Sequence, residues 1–340
     1  LNELIWKKLE APLKNAGKVY CSRSGLLHQL NLGAIPLNAT ETFAGRRELV
    51  LLGSTRQLVI RDQSAVYNSE ALLVGGVNYA ENDAAIANAN QRLAQTRGLP
   101  DLEIPLFEAD SLTRSNIWGF LPSTVTEVLD IRRILQSSEM QVQLDTGYAA
   151  TEESIKQSGS FNGEGAPRIM HFATHGYFFP DPKNAFSSTV SREQIAFKAS
   201  ENPLLRSGLI LAGAQKIWTG GKLPAGREDG VLTAFEISLL NLSGTELVVL
   251  SACETGLGDI EGNEGVYGLQ RALKIAGAKY IVMSLWKVND LTTSEFMKDF
   301  YTQWLKKHLD IPNAFRKAQL NLKLKYPLEP YHWAGFILVE

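Results

Sequence analysis

The chain has 340 residues, of which 44% are hydrophobic and 21% are charged, and its formal net charge is −2. This composition is typical of a globular protein with a large core, and the small net charge favours neither a nucleic acid nor an anionic membrane as partner. No apolar run reaches the ~18 residues of a membrane-spanning helix. The two cysteines are too few for a disulfide framework, which indicates a reducing, cytoplasmic compartment.

The N-terminal part of the chain is predicted to consist of two segments that precede the core. Residues 1–15 have apolar positions at helical spacing, and we interpret them as the end of an upstream helical region. The chain begins with Leu1 rather than Met, so we expect it to be part of a longer protein. Residues 16–70 are predicted to be a β-rich extension, with a β-hairpin over 18–37 that turns near Gly25.

Residues 71–340 are predicted to form an α/β core. Apolar runs that end in glycine or other small residues alternate with helical patterns, which indicates βαβ crossovers and a mainly parallel sheet with helices on both faces. The predicted strands of this core are 71–77, 141–144, one from Arg168, 209–211, 247–250, 280–286 and 333–339, and residues 49–60 are a further β-like stretch in the extension. The predicted helices are 122–135 (with Ser123 and Thr124 as candidate caps), 150–158, 232–240, 266–276, 292–307 and 312–323, and residues 80–117 are a helix-and-loop insertion.

The most informative stretch is residues 246–258. Leu247 to Leu250 are four consecutive apolar residues, as in a strand buried on both faces, and the chain continues into Cys253 and then into Gly256. Open α/β sheets place their reactive groups just beyond the carboxyl ends of the strands. The sequence therefore predicts that Cys253 lies at this edge of the sheet.

A second strand end carries a histidine. The strand from Arg168 ends at His175, which is followed directly by Gly176. An imidazole within reach of a thiol can take its proton and later protonate the leaving amine. The N–H groups of Gly176 and Cys253 would form an oxyanion hole, in which each donor is typically worth ~3 kcal/mol. These residues predict a thiol nucleophile and its base.

Other interpretations of the same residues are weaker. His171 and His175 would share one side of a strand and suggest a metal pair, but no third ligand is evident, and we predict neither metal nor cofactor. The glycines over 256–262 have the spacing G-x-G-x-x-x-G, which departs from the dinucleotide fingerprint. Cys21 has the context of a buried, inert thiol.

The motifs resemble those of one family. His171-Phe-Ala-Thr-His-Gly176 and Leu250-Ser-Ala-Cys-Glu-Thr-Gly256 are similar to the paired signatures of the CHAT domain, a bacterial relative of caspases and separase. The resemblance covers residues 16–340, with support from segments 24–28, 268–278, 284–290, 300–301 and 332–336. It implies the caspase–hemoglobinase fold, with His175 as the catalytic histidine and Cys253 as the nucleophile. It also implies a protein substrate and upstream TPR-like repeats or another regulatory protein as partner.

Five residues are candidates for the pocket that would select the substrate. Many relatives outside the caspases cleave after Arg or Lys by means of an acidic S1 residue. The candidates for the S1 pocket here are Asp290, Ser251, Asp229, Glu254 and Trp286. A basic P1 residue is therefore a hypothesis. The long segment 179–230 is a candidate lid, autoprocessing segment or partner-sensing element.

The sequence thus predicts a cysteine endopeptidase that acts through a thioester acyl-enzyme. The alternative is a catalytically silent, caspase-like interaction module, which would tolerate loss of the dyad. A nucleotide-binding α/β protein is a third interpretation. The glycine spacing over 256–262 argues against it, because it departs from the dinucleotide fingerprint.

Overall fold

The computed structural model describes residues 1–23, 25–38, 40–59, 67–80, 82–95, 118–159, 165–179, 202–222, 226–251, 264–286 and 288–340. The strands are β1 (Lys18–Ser22), β2 (Glu48–Leu52), β3 (Glu70–Val77), β4 (Gln141–Gly147), β5 (Ile169–Ala173), β6 (Gly176–Phe178), β7 (Ser207–Ile210), β8 (Val231–Thr233), β9 (Leu247–Leu250), β10 (Tyr280–Ser284) and β11 (Phe336–Val339). The helices are α1 (Glu10–Leu13), α2 (Phe43–Arg46), α3 (Asp83–Gln95), α4 (Pro122–Gln136), α5 (Glu152–Ser158), α6 (Gln215–Trp218), α7 (Ala234–Ile237), α8 (Glu264–Ala276), α9 (Asp290–Tyr301), α10 (Ile311–Lys325) and α11 (Pro330–Trp333).

Eight strands form the central sheet, in the order β1-β2-β11-β10-β9-β5-β3-β4. The pairs within β10-β9-β5-β3-β4 are all parallel, and β11 runs antiparallel to β10. The central strands β5 and β9 are buried along their whole length, whereas the edge strand β1 alternates between exposed and half-buried residues. The predicted α/β fold with a mainly parallel sheet is therefore confirmed.

Alternate residues of the central strands enter two separate cores. Leu72, Met170 and Val248 belong to one core, which α5, α7 and α8 cover. Their neighbours Leu73 and Ile169 belong to the other, together with residues of α4, α9 and α10. Because successive side chains of a strand point to opposite faces, such unbroken apolar runs require cover on both sides. The helices on both faces supply that cover.

The N-terminal extension differs from its prediction. The hairpin over 18–37 is wrong, because β1 pairs in parallel with β2, and the chain between them coils into short 3-10 turns at Gly25–Gln29 and Leu32–Ala34. Leucines in these turns pack with Trp6 and Phe43 in a third small core instead of extending into a return strand. Two strands that run the same way need such a crossover rather than a tight turn.

Several helix and strand ends also differ from the prediction. Helix α4 begins at Pro122 and has no side-chain cap, so Ser123 and Thr124 lie within its first turn. The helix predicted over 232–240 is shorter, since β8 occupies its first residues and only α7 is helical. By contrast, Thr151 caps α5, because its hydroxyl accepts the Ser154 N–H.

A second, smaller sheet follows the histidine strand. Strands β6, β7 and β8 form an antiparallel sheet in that order, of which only β7 is predicted from the sequence. Strand β6 begins at Gly176, directly after the histidine. The predicted functional segment 179–230 contributes β7 and α6 to this region, and its residues 180–201 and 223–225 lie outside the described part of the chain. Among the described residues, no helix is both long and apolar enough to cross a membrane.

Candidate active site

The two motif strands are neighbours in the sheet. Strand β5 pairs in parallel with β9, and Phe172 lies opposite Leu250 at the end of the ladder. The Ser251 N–H still donates to the Phe172 carbonyl, at 3.0 Å, before the chain leaves β9. Cys253 lies two residues further on, outside the described residues, and His175 lies three residues beyond Phe172. Both motif ends therefore leave the sheet at the same carboxyl edge.

The His175 ring is buried and oriented by a backbone carbonyl. The residue is 2% exposed, and its Nε2 lies 2.7 Å from the Gly119 carbonyl oxygen. A carbonyl only accepts, so Nε2 carries the proton in the neutral ring and Nδ1 is the nitrogen that can take up another. The rings of Tyr79 and Trp118 pack against the imidazole, with centroids at 4.9 and 5.2 Å. This packing fixes the plane of the ring.

A ring of hydrogen bonds holds the backbone of His175. Its carbonyl accepts the Ile210 N–H at 2.8 Å, and its own N–H lies 3.4 Å from the Tyr79 hydroxyl oxygen. The Tyr79 hydroxyl lies 3.0 Å from Thr174 Oγ1, which is 2.5 Å from the Ile210 carbonyl oxygen. The histidine is thus joined to β7 both directly and through two hydroxyl groups.

The carbonyl that orients the histidine is placed by the start of α4. Gly76 has a φ of +58°, and its N–H donates to Thr124 Oγ1 at 2.8 Å. A Cβ at Gly75 would lie 2.7 Å from a Val128 methyl group, so the absence of side chains on these glycines lets α4 pack closely against the end of β3. Gly119 lies three residues before Pro122, at the entrance to this helix.

The N–H of Gly176 points away from the neighbouring strand β7. The bonds from Ile210 to His175 and from Phe179 to Arg206 identify the hydrogen-bonded pairs of the ladder between β6 and β7. Gly176 lies opposite Leu209, and this pair is not hydrogen-bonded, since it is adjacent to the hydrogen-bonded pair of His175 and Ile210. At such a position the N–H points away from the partner strand. Because β6 is an edge strand of the small sheet, this N–H faces away from the ladder.

His171 does not share the side of His175, so the prediction of two histidines on one side is wrong. His171 is fully buried, with Nε2 at 3.0 Å from Glu127 Oε1 and Nδ1 at 3.2 Å from the Tyr301 hydroxyl. Tyr301 belongs to one core of the sheet, whereas Tyr79 and Trp118, which pack against His175, belong to the other. The reason is that β5 ends at Ala173, so the alternation of sides does not extend to His175. Burial and the neighbouring Glu127 raise the pKa of Tyr301 well above its usual value.

Two S1 candidates lie at the same edge of the sheet as the histidine. Ser251 is buried directly after β9. Trp286 is half-buried and lies three residues beyond Met283, the residue of β10 that pairs with Leu250. The Trp286 ring stacks on that of Tyr331 at 6.0 Å, and its indole N–H donates to the Tyr331 carbonyl.

The acidic candidates have different surroundings. Asp229 precedes β8 and accepts the Val231 N–H at 2.7 Å, and burial raises its pKa. Asp290 is the first residue of α9, where Asn289 is the cap. Glu254 lies outside the described residues. The Asp229 carboxylate is thus held by a backbone N–H of its own turn.

A cluster of carboxylates lies beside Asp229. Carboxylate oxygens of Glu152, Glu228 and Glu236 lie within 4.8 Å of one another, a spacing that could hold a metal ion. The Lys156 ammonium contacts the three carboxylates at 2.7, 3.0 and 2.9 Å. Burial, followed by the charge of Glu236, raises the pKa of Glu152 to about 9. The lysine already occupies the centre of this cluster, which is the position that a cation would take.

Cys21 has the surroundings of an unreactive thiol. It is half-buried in β1, and burial raises its pKa, which the nearby Arg23 charge only partly opposes. A thiol with a raised pKa has little thiolate at neutral pH.

Sequence reasoning missed most of the groups around His175. Thr174 lies inside the recognised motif, and a buried hydroxyl next to a candidate base was a usable signal. Tyr79 follows the glycine-ended strand β3, so its place at the carboxyl edge was also predictable. Trp118 and Gly119 follow an insertion of low pattern, which gives no signal for their role.

Two solved structures of a cysteine proteinase, gingipain R, resemble this chain in fold. Gingipain R, described as an Arg-specific cysteine proteinase, aligns over 100% of this chain and 67% of its own, with a TM-score of 0.51 and 10% identity. The complex of the pro- and mature domains of RgpB from Porphyromonas gingivalis aligns over 99% of this chain and 67% of its own, with a TM-score of 0.50 and 10% identity. The chain therefore has the fold of the caspase-like cysteine proteinases.

The family follows from the sequence. The sequence model of the CHAT domain matches residues 1–340, and this protein belongs to the CHAT domain family. Tetratricopeptide repeat protein 28 is 25% identical in Mus musculus and 24% identical in Homo sapiens, over 231 residues and 66% of this chain. The chain spans only 9% and 8% of the length of these relatives.

Proposed function

We propose that this domain is a cysteine endopeptidase in which His175 and Cys253 form the catalytic dyad. The observation that carries the proposal is the parallel pairing of β5 with β9, whose last partners are Phe172 and Leu250. Strands in this register deliver the histidine and the segment that holds the cysteine to one edge of the sheet. The family and its fold support the same class of reaction.

The orientation of the imidazole suits the base of this reaction. The Gly119 carbonyl holds the proton on Nε2, so Nδ1 accepts the Cys253 proton and the thiolate attacks the substrate carbonyl. The imidazolium then donates that proton to the leaving amine, which leaves a thioester between the substrate and Cys253. A water molecule, deprotonated by the same nitrogen, hydrolyses the thioester and returns the free thiol.

The oxyanion hole in this proposal consists of two backbone donors. The Gly176 N–H points away from β7, and the N–H of Cys253 is the second donor. Each donor stabilises the negative oxygen of the tetrahedral intermediate and is typically worth about 3 kcal/mol.

Labelling with a peptidyl warhead specific for activated thiols tests the dyad. We expect modification to map to Cys253, to slow by at least ~100-fold in His175→Ala, and to spare Cys21 as an internal control. Equal rates in the parent and in His175→Ala would overturn the dyad. Absence of labelling in both this domain and the full-length protein would favour the silent interaction module.

We further propose a basic P1 residue. Trp286 and Tyr331 form an aromatic surface beside the carboxyl edge of the sheet, on which the stem of an Arg or Lys side chain would pack. Gingipain R is Arg-specific and shares the fold. Asp290 is the preferred partner for the P1 charge, since Asp229 is held by the Val231 N–H and has a raised pKa.

A P1-randomised peptide library tests this preference. We expect cleavage after Arg or Lys by the parent, a large loss in Asp290→Asn, and little change in the matched variant Asp229→Asn. Strong cleavage after apolar or acidic P1 residues, with none after Arg or Lys, would reject the basic preference while leaving the dyad intact.

Upstream repeats are the proposed regulator. The chain matches a small part of tetratricopeptide repeat proteins, so we propose that TPR-like repeats precede this domain and control access to the site. The labelling rate of Cys253 in the full-length protein, with and without cellular partners, should then differ from the rate in the isolated domain. Identical rates in all three samples would reject this regulation.

A further inference from the structure

We propose that the hydroxyl groups of Tyr79 and Thr174 act as one hydrogen-bonded relay that positions the catalytic histidine. The inference rests on the proposed function of His175 as the base. Both residues are positioning residues, because each acts on the imidazole through the backbone of His175. The relay joins the ends of three strands, β3, β5 and β7, at the edge of the sheet where the reaction is proposed.

The direction of every bond in the relay is fixed by its ends. The Ile210 carbonyl can only accept, so the Thr174 hydroxyl donates to it, at 2.5 Å. The Thr174 oxygen then accepts from the Tyr79 hydroxyl at 3.0 Å, and the Tyr79 oxygen accepts from the His175 N–H at 3.4 Å. Removal of the Tyr79 hydroxyl takes away the acceptor of the His175 N–H, whereas removal of the Thr174 hydroxyl takes away the group that orients the Tyr79 hydroxyl towards that N–H.

The relay closes a loop around a single residue, His175. The Ile210 N–H donates directly to the His175 carbonyl at 2.8 Å, so both backbone groups of His175 depend on the same residue of β7. Tyr79 and Thr174 are 2% and 0% exposed, so water does not replace a lost hydroxyl at either position. Without the Tyr79 hydroxyl, the buried His175 N–H loses this acceptor, and its peptide must shift to recover one. Without the Thr174 hydroxyl, the buried Tyr79 hydroxyl loses its acceptor and must turn towards another, which moves its oxygen away from the same N–H.

Such a shift would move the imidazole away from its own acceptor. The ring of His175 is held 2.7 Å from the Gly119 carbonyl, and the neighbouring Trp118 N–H donates to Gln215 Oε1 at 3.3 Å. The Gln215 N–H in turn donates to the Tyr79 carbonyl at 3.0 Å. Tyr79 is therefore tied both to the backbone of the histidine and to the segment that orients its ring.

The experiment measures the labelling rate of Cys253 as a function of pH in Tyr79→Phe, Thr174→Val, the double variant and Thr174→Ser. We expect each single variant to react about tenfold more slowly, which is the effect of one lost hydrogen bond on a rate. The midpoint of the pH profile should also rise towards the ordinary thiol pKa of about 8.5, because a displaced imidazole supports the thiolate less well. The double variant should react as slowly as a single one, and Thr174→Ser should react like the parent.

Tyr301→Phe is the matched control. It removes a similarly buried tyrosine hydroxyl from His171, the histidine that lies within β5. We expect it to lower thermal stability while leaving both the labelling rate and the pH midpoint at their parent values. Thermal denaturation of every variant shows whether a loss of reactivity reflects a loss of fold.

NMR of ¹⁵N-histidine provides a readout that does not depend on activity. The His175 signal, assigned by its loss in His175→Gln, should show the Nε2–H form in the parent and a changed or broadened line in Tyr79→Phe and Thr174→Val. If the parent reacts through His175 but the two variants keep its rate, its pH midpoint and its NMR line, the relay is overturned and the proposed function stands. Effects that multiply in the double variant would show that the hydroxyls act independently, which also overturns it. If the parent never reacts, the proposed function fails, and an unchanged His175 line in both variants would then overturn the relay.

Discussion

Replacing Thr124 by valine tests how firmly the start of α4 is attached to the sheet. The Thr124 hydroxyl accepts the Gly76 N–H at 2.8 Å and donates to the Leu121 carbonyl at 2.7 Å. Valine has nearly the same shape, so it removes the hydroxyl without leaving a cavity. The Leu121 carbonyl keeps the backbone N–H of residue 124 as a donor, at 3.2 Å. The change therefore orphans one group, the Gly76 N–H.

The cost follows from the burial of the Gly76 N–H. Gly76 is buried and its acceptor Thr124 is 4% exposed, so water does not reach the donor easily, and an unsatisfied buried donor costs about 1–3 kcal/mol. We therefore expect Thr124→Val to lower the free energy of unfolding by about 2 kcal/mol. Thr124→Ser keeps the hydroxyl and loses one methyl group, which is worth about 0.8 kcal/mol. The serine variant should be the more stable of the two by about 1 kcal/mol.

Urea unfolding followed by tryptophan fluorescence measures the difference. The valine variant should also label more slowly at Cys253, because the loosened helix start no longer holds the Gly119 carbonyl against the histidine. A valine variant as stable as the serine variant, or more stable, would refute the reasoning, because it would mean that the Gly76 N–H does not depend on this hydroxyl.

Three further predictions concern groups elsewhere in the fold. Burial raises the pKa of Glu152 to about 9, so the folded chain holds a proton that the unfolded chain releases above its pKa of about 4.3. The stability from this proton is complete below about pH 4 and is lost as the pH rises towards 9, by at most about 1.4 kcal/mol per pH unit. Glu152→Gln should flatten this dependence of the free energy of unfolding on pH in urea titrations between about pH 6 and 8.5. An unchanged slope in this variant would contradict the prediction. His171→Phe leaves the buried Glu127 without its donor and should cost about 3 kcal/mol in urea unfolding, so that a loss below about 1 kcal/mol would argue against a structural role. Gly335→Ala places a Cβ in steric overlap with a Val288 methyl group and should lower the free energy of unfolding by about 2 kcal/mol. An unchanged melting temperature would show that the segment adjusts freely.

The central strands were predictable because their burial is complete. Strands β5 and β9 are short apolar runs in which every residue is buried, and such runs carry a strong sequence signal. Their alternation with helices predicts a parallel sheet, and parallel pairing brings the carboxyl ends of the strands to one edge. The likeness of the two motifs to the CHAT domain was confirmed over the whole chain.

The elements that were predicted wrongly or missed lack such a sequence signal. Strands β6 and β8 have three residues each, too few to show a period. The leucines after Gly25 suit a return strand equally well, and only their packing against Trp6 and Phe43 selects 3-10 turns. The Gly119 carbonyl is a backbone group, which any residue would provide, so no sequence pattern could have identified it as the acceptor for His175.

The small sheet also determines what a break in the chain would do. Strand β6 ends at Phe178 and β7 begins at Ser207, and the ladder between them is held by bonds from Phe179 to Arg206 and from Ile210 to His175. A peptide bond cut between residues 180 and 201 would therefore leave two polypeptides joined by that ladder and by both hydrophobic cores. The nicked protein would separate into two bands in denaturing gels and elute as one particle in native chromatography, with the histidine on one polypeptide and the cysteine on the other.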